Sequence, residues 1–279
     1  MALDQIDVDE YDAQMSFLEH LEALRWHIIR SLIAVVIGGI ISFIYGKYIF
    51  DTILLGPTRT DFWSFRKLCD LSQSLYSDSR LCIADMDFVV KTVDIQEQFY
   101  QHFMIAAIGG IIFAMPYILY EISRFVKPAL KSREKKFSGL IIGFASMLFF
   151  TGILFGYFIL TPISVNFLGT YTLSENIVKE FTVSSVVSFI SLLTFGSGVI
   201  FELPIVIYFL AKAGLVTAEL MRNYRRVAVI VILILSALIT PPDLTSQVIL
   251  SFPIFILYEI GIIIAKKVAP KPIVELPEE

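Results

Sequence analysis

The stretch Phe195–Leu210 reads FGSGVIFELPIVIYFL and holds one carboxylate, Glu202, among aliphatic and aromatic residues. Pro204 follows two positions later. A carboxylate is merely awkward in a buried soluble helix. Near the middle of a membrane span it costs about 2.5–3.5 kcal/mol on insertion scales, and such groups usually face protein or water. This stretch therefore raises two questions: whether the chain crosses a membrane, and what the carboxylate of Glu202 does there.

Composition answers the first question. The chain has 279 residues, of which 56% are hydrophobic and 17% are charged, and its mean hydropathy is +0.76. Soluble domains are about 45–50% apolar and about 25% charged. The net charge of −4 gives no broad basic surface for nucleic acid. The sequence therefore predicts an integral membrane protein with no nucleic-acid partner.

Six segments are apolar over most of the length, about 20 residues, that a membrane-spanning helix needs. The last two are short and would thin the bilayer locally or form a re-entrant hairpin. The six predicted spans are roughly Ile28–Ile44, Phe103–Ile122, Leu140–Leu160, Val186–Leu210, Val227–Ile239 and Val248–Ala265. The sequence thus predicts an all-α bundle of six transmembrane helices.

From the second span onward, connections rich in basic residues alternate with connections that have few or none. The connection after the second span holds Arg124, Lys127, Lys131, Arg133, Lys135 and Lys136, and the one after the fourth holds Lys212, Arg222, Arg225 and Arg226. The connection after the third holds only Lys179, and the one after the fifth holds none. Because basic connections stay in the cytoplasm, we expect both termini there.

The N-terminal region carries a different signal. Its first residues are acidic, unlike the basic start of a cleavable signal peptide. Ser16 and Glu19 then form a capping-box pattern that marks a helix start. Phe17, Leu21 and Leu24 share one face of that helix. We expect a short amphipathic helix in the cytoplasmic interface that runs into the first span.

Motifs for catalysis or metal binding are weak. The three histidines, His20, His27 and His102, have no zinc spacing with the cysteines. The GSG at 196–198 follows Phe195, where a rhomboid-like serine motif would have glycine. The chain also has no HExxH motif. The sequence predicts neither an enzyme nor a cofactor.

Four motifs do recur in a known order along the predicted spans. They are SFLEHLEALR at Ser16–Arg25, FVKPALKSRE at Phe125–Glu134, FGSGVIFELP at Phe195–Pro204, and TPPD with YEIG at Thr240–Asp243 and Tyr258–Gly261. Together they resemble the TatC family, the multispan core of the twin-arginine protein translocase. The resemblance extends from about Ser16 to Ala265.

The resemblance implies a fold and a function. The fold is a concave, glove-like bundle of six helices whose last two are short. Residues 1–15 form an acidic tail, 16–265 the membrane domain with an outer loop at 46–102, and 266–279 a cytoplasmic tail. The implied function is to bind twin-arginine signal peptides of folded proteins and to nucleate the export complex. The implied location of the protein is the bacterial cytoplasmic membrane. The implied partners are single-span TatA/TatB-type subunits and further copies of the chain.

The resemblance also assigns a signal-binding site. Glu134 matches the glutamate that receives the signal, with Phe125 and Pro128 shaping its loop. Leu24 and Arg25 match the family pattern on the first helix, where the usual glutamate is replaced by Ala23. Glu22 stands one residue earlier, about 100° around the helix. Either Glu22 substitutes with altered geometry or this helix contributes less. A solvated Glu134 between Arg133 and Lys135 is the plainer alternative.

The remaining assignments lie in the membrane and on the outer side. Glu202 matches the family's intramembrane glutamate on a concave, water-accessible face, while structural hydrogen bonding to a neighbouring helix is the alternative. With Gly196, Gly198 and Glu259 it would contact partner helices, because glycines permit close approach. Pro57 and Asp243 match structural positions on the outer side. Cys69 and Cys82 would form a disulfide in an oxidising outer compartment, unless both stay free thiols.

A different class of function is also compatible with Glu202. In a small secondary transporter or ion channel, the same carboxylate would bind a proton or cation. Such proteins often contain two related halves or paired broken helices, and the sequence shows neither. Purification together with single-span amphipathic proteins favours the translocase, whereas substrate-dependent currents in liposomes favour the transporter.

The orientation has a direct test. Single cysteines at Ser132 and Asn223 should resist a membrane-impermeant thiol reagent added outside intact cells, because the basic connections keep both positions in the cytoplasm. A cysteine at Ser174 should be labelled. Labelling at Ser132 would overturn the predicted orientation.

Overall fold

The computed structural model describes residues 17–76, 88–126, 138–174, 178–240 and 244–268, and these are mostly helical. The long helices are α1 (Phe17–Ile44), α4 (Glu97–Val126), α5 (Ser138–Phe155), α7 (Val183–Phe201) and α11 (Leu244–Val268). The shorter helices are α2 (Gly46–Tyr48), α3 (Trp63–Tyr76), α6 (Thr161–Thr170), α8 (Leu203–Lys212), α9 (Ala218–Asn223) and α10 (Arg225–Ile239). The π-helical turns Ile49–Leu54 and Gly156–Leu160, the 3-10 turn Gly56–Thr58 and the strands β1 (Val89–Lys91) and β2 (Glu180–Thr182) complete the described elements.

Five helical stretches of the described chain are long and apolar enough to cross a membrane. They are Glu22–Ile44, Glu97–Phe125, Gly139–Thr170, Val183–Lys212 and Leu244–Val268, and they correspond to predicted spans one to four and six. The predicted fifth span corresponds to α10, which has 15 residues. At about 1.5 Å per residue that helix covers about 22 Å of an apolar layer about 30 Å thick. The crossing of the membrane by α10, and with it the total of six spans, therefore remains a prediction.

The first helix differs from the two-part arrangement expected from the sequence. The predicted amphipathic segment and the first span form one uninterrupted helix, α1. From Glu22 onward its apolar side chains are largely exposed, including Ile28, Leu32 and Ile40 at 57%, 60% and 57%. Such exposure of apolar surface along a whole helix is expected where lipid surrounds the protein.

Glycines bring α1 and α4 into backbone contact. A methyl group at Gly110 would lie 2.6 Å from the carbonyl oxygen of Val35 and 2.7 Å from the amide nitrogen of Gly39, and one at Gly38 would lie 2.9 Å from the carbonyl oxygen of Gly110. Towards one end, His102 Nε2 bonds the Phe43 carbonyl at 2.9 Å. Towards the other, His27 contacts Glu121. The two helices are therefore antiparallel.

A second close contact joins α5 and the following π-helical turn to α7. A methyl group at Gly152 would lie 2.7 Å from the carbonyl oxygen of Ser197, and one at Gly156 would lie 2.6 Å from that of Leu193. The two glycines are four residues apart, the small-residue spacing that lets membrane helices approach closely. This contact sets the position of the region of α7 that leads to Glu202.

The connection between α1 and α4 is fastened to the start of α7. Strands β1 and β2 are parallel, with Val89 opposite Glu180. Glu97, only 7% exposed, accepts hydrogen bonds from the backbone amides of Ser184 at 2.6 Å and Val93 at 2.9 Å. A carboxylate bonded to amides in the first turn of a helix is also favoured by the helix dipole.

The structure gives different outcomes for the four residues predicted for the outer side, Pro57, Cys69, Cys82 and Asp243. Pro57 is fully buried in the 3-10 turn Gly56–Thr58, which packs against α6. Cys69 lies in α3 and is disulfide-bonded. Cys82, the other cysteine of the chain, lies outside the described residues, so the predicted pairing stays a prediction. Asp243 also lies outside them.

The glycine contact between α1 and α4 predicts a sharp effect of one methyl group. Gly110→Ala should destabilise the fold by about 1–3 kcal/mol, because backbone atoms of α1 would have to move away. The measurement is the apparent melting temperature of the purified protein in detergent. Gly143→Ala in α5 is the matched control, since a methyl group there meets nothing within 4 Å. Equal melting temperatures for the two variants would contradict this packing.

Candidate functional site

A groove opens between α1 and α4 beyond their glycine contact, at the N-terminal end of α1 and the C-terminal end of α4. Its volume is about 340 Å³. The side chains that line it include Leu24, Ile28 and Ser31 from α1 and Ile118, Ile122 and Phe125 from α4. The structure thus brings together Leu24 and Phe125, two residues that are distant in the sequence and that the family resemblance assigns to one binding site.

A buried carboxylate paired with a histidine lies in this groove. Nδ1 of His27 contacts Oε2 of Glu121, and the side chains are 16% and 2% exposed. Tyr117, one turn earlier on α4, hydrogen-bonds the same carboxylate. The ring of Phe125 packs edge-on against the His27 ring, with 6.0 Å between centroids. Burying a carboxylate is costly unless polar partners surround it, and here both helices supply one.

The predicted residues on α1 separate into two groups. Leu24 is half-buried and faces the groove, whereas Glu22 and Arg25 are exposed. Ala23 is half-buried and lies one helical turn before His27. The carboxylate of Glu22 therefore belongs to the solvent-facing side of α1. Glu134 and Pro128 lie outside the described residues.

Glu202 occupies a break between two helices. It ends α7 and precedes α8, with φ −75° and ψ −3°. The break follows from Pro204, which has no amide hydrogen to continue the helical bonding. Glu202 is only 7% exposed, although the family resemblance implies a water-accessible face. Both carboxylate oxygens are buried, and neither accepts a hydrogen bond from the part of the chain that the structure describes.

Helices of the chain itself make the close approach predicted at the two glycines. A methyl group at Gly198 would lie 2.7 Å from Ile153 and 2.9 Å from Phe149 of α5. A methyl group at Gly196 would lie 3.2 Å from Ile239 of α10. The sides of α7 next to these glycines are therefore already covered by α5 and α10.

Glu259 joins the start of α10 to α11. Its Oε2 accepts a bond from Nη2 of Arg225 at 2.7 Å, and the two side chains are 33% and 49% exposed. The neighbouring Tyr258 donates its hydroxyl to the carbonyl of Met221 at 2.7 Å. These bonds tie α11 to the connection between α8 and α10.

Sequence reasoning missed Glu121 and its partner His27. The available signal was an acidic residue near the end of the second predicted span, since ionisable residues in spans usually mark functional positions. The two residues are 94 positions apart. Their pairing depends on how α1 and α4 are aligned, and single-sequence patterns do not contain that information.

Comparison with known proteins identifies the family to which this arrangement belongs. The family model described as "Sec-independent protein translocase protein (TatC)" matches residues 19–253. A TatC from Blattabacterium sp. subsp. Periplaneta americana is 37% identical over 92% of this chain and 97% of its own length. A TatC from Carboxydothermus hydrogenoformans is 36% identical over 93% and 96%.

Solved structures agree with the sequence comparison. The crystal structure titled "Twin Arginine Translocase Receptor- TatC" superimposes with a TM-score of 0.67 at 32% identity, covering 88% of this chain and 97% of that one. A second crystal structure of that receptor, in DDM, gives a TM-score of 0.69 and covers 88% and 99%.

Proposed function

Because the chain belongs to the TatC family of Sec-independent protein translocase proteins, we propose that it is the subunit that recognises twin-arginine signal peptides. Membership makes it a multi-pass transport protein of the translocase. Within the translocase, its proposed role is to bind the signal peptide of a folded protein and to nucleate an export complex.

The groove between α1 and α4 is the observation that carries this proposal. It combines apolar walls from Leu24 and Phe125 with a buried carboxylate, Glu121. A signal segment with two adjacent arginines needs planar acceptors for its guanidinium groups and apolar surface for its neighbouring residues. A carboxylate can accept a guanidinium through two parallel, charge-assisted hydrogen bonds.

Glu134 is proposed as an arginine acceptor in the connection between α4 and α5. That connection begins next to Phe125, at the edge of the groove, and Glu134 occupies the position of the family's signal-binding glutamate. Pro128 would shape the same connection. Of the residues on α1, Leu24 supports the proposal because it lines the groove. Arg25 and Glu22 are exposed and would contact the signal only at the entrance of the groove.

The cellular setting forms part of the proposal. The basic connections support an orientation with both termini and the open end of the α1–α4 groove in the cytoplasm. The membrane would be the bacterial cytoplasmic membrane. Single-span TatA/TatB-type subunits and further copies of this chain would complete the translocase.

Glu202 is proposed to influence partner contact through the break between α7 and α8. A carboxylate that is buried without a hydrogen bond among the described residues is costly, and in this proposal Glu202 finds its polar partner in another state of the complex. Gly196, Gly198 and Glu259 would support this role by fixing α7 and α11 around it. The transporter alternative is not favoured, because relatives spanning nearly the whole chain are translocase subunits.

Reversing one charge tests the signal-binding role. Glu134→Arg should abolish export of twin-arginine cargo in cells in which this chain is the only copy of its subunit, because an arginine repels the signal. Glu134→Gln should reduce export less, since it keeps an acceptor oxygen. The readout is cargo transported per unit of membrane-inserted protein.

A matched control accompanies the Glu134 experiment. Glu219→Arg makes the same charge change at an exposed position in the other basic connection and should leave export intact. Normal export by the Glu134→Arg variant would remove Glu134 from the signal site.

The partner role of Glu202 makes a separate prediction. Glu202→Ala should insert normally and bind a twin-arginine peptide as the unaltered chain does, yet export less cargo and cross-link differently to single-span subunits. Glu202→Gln should be intermediate, because an amide retains polarity without charge. Full export with an unchanged cross-linking pattern in the Ala variant would leave Glu202 without a role in partner contact.

A further inference from the structure

The carboxylate of Glu121 is buried between α1 and α4 and is bonded by side chains of both helices. It is 2% exposed and is bonded by His27 from α1 and by Tyr117 from α4. Arg30, one turn after His27, is exposed and acts on the same carboxylate through its charge. An ionised carboxylate has about four acceptor sites on its two oxygens. It can therefore exchange one donor for another without losing all its partners.

The surroundings of Glu121 favour one kind of ligand. Among the described residues that line the groove, Glu121 is the only acidic one, and its neighbours Leu24, Ile28, Ile118 and Phe125 are apolar. A ligand for this place therefore combines one cationic group with an apolar flank. A guanidinium group fits better than an ammonium group, because its planar fork matches a carboxylate and it is more weakly hydrated.

The other nearby carboxylate on α1 does not meet these conditions. Glu22 is exposed, whereas Ala23 and Leu24 are half-buried. Since Ala23 lies one turn before His27 on the same face of α1, the inner face of this helix offers no acidic side chain of its own at that point. The acceptor facing it comes from α4 instead.

We infer that Glu121 is an arginine acceptor of the signal-binding groove and that His27 occupies it until a signal segment arrives. This inference rests on the proposed signal-binding function. A guanidinium of the incoming segment replaces the His27 ring on the carboxylate and forms two parallel hydrogen bonds. Leu24 and Phe125 then contact the apolar residues of the segment. The histidine keeps the carboxylate bonded in the empty groove, where a lone carboxylate would be costly.

A purely structural role is the competing explanation, because the pair also links α1 to α4. The two explanations differ in what they require of His27. A structural link needs both partners, so loss of either should have similar consequences. An acceptor held by a competing donor needs only Glu121, and removal of the competitor should favour the ligand.

Peptide binding by the full-length chain in detergent separates them. The probes are a fluorescent twin-arginine signal peptide and the same peptide with two lysines. We expect the unaltered chain to prefer the arginine peptide, and Glu121→Gln to lose about tenfold in affinity for it, the loss of roughly one good hydrogen-bonded contact. Affinity for the lysine peptide should change little. The amide keeps the shape and one acceptor oxygen, so the melting temperature should stay close to that of the unaltered chain.

His27→Ala supplies the second measurement. It should bind the arginine peptide more tightly than the unaltered chain, because the competing donor is gone. Weaker binding by both variants together with lowered melting temperatures would assign the pair to structure and overturn the inference. An unchanged preference for arginine in Glu121→Gln would also overturn it, while leaving the proposed function intact. If the unaltered chain itself showed no preference for arginine, the proposed function would fail.

Discussion

In the middle of the α1–α4 pair, the two backbones touch because Gly38, Gly39 and Gly110 have no side chains to hold them apart. Antiparallel helices in such close contact have a fixed register, and this register sets His27 against Glu121. Beyond the glycines the helices carry larger side chains, and the groove opens there. The position of the candidate site therefore depends on a contact that involves none of its own residues.

Three buried carboxylates show how the chain handles charge in apolar surroundings. Glu97 accepts two backbone amide bonds and fastens the connection before α4 to α7. Glu121 is paired with a histidine across two helices. Glu202 stands at a helix break without a hydrogen bond from the described residues. The bonds of Glu97 suit it to structure, whereas for Glu121 and Glu202 we propose interactions that change during export.

Sequence patterns were sufficient for some levels of this structure and insufficient for others. Hydropathy located five spans, because lipid requires long apolar helices whatever their neighbours are. It also marked Glu202 as anomalous, but it did not predict that both carboxylate oxygens would be buried without a hydrogen bond from the described residues. The pairing of His27 with Glu121 was not predicted, because register between distant helices is set by three-dimensional contact. The sequence left open whether Glu22 takes the place of the glutamate missing at Ala23, and the structure shows Glu22 exposed and Ala23 half-buried.

We propose that a twin-arginine signal segment binds in the groove between α1 and α4. Photo-cross-linking from two positions on α1 can show whether it does. Ile28 lines the groove, whereas Ile33 does not, and their exposed fractions are similar at 57% and 53%. A photoreactive residue at position 28 should cross-link to a twin-arginine peptide, and one at position 33 should not. Equal cross-linking from both positions, or cross-linking from position 33 alone, would contradict the account.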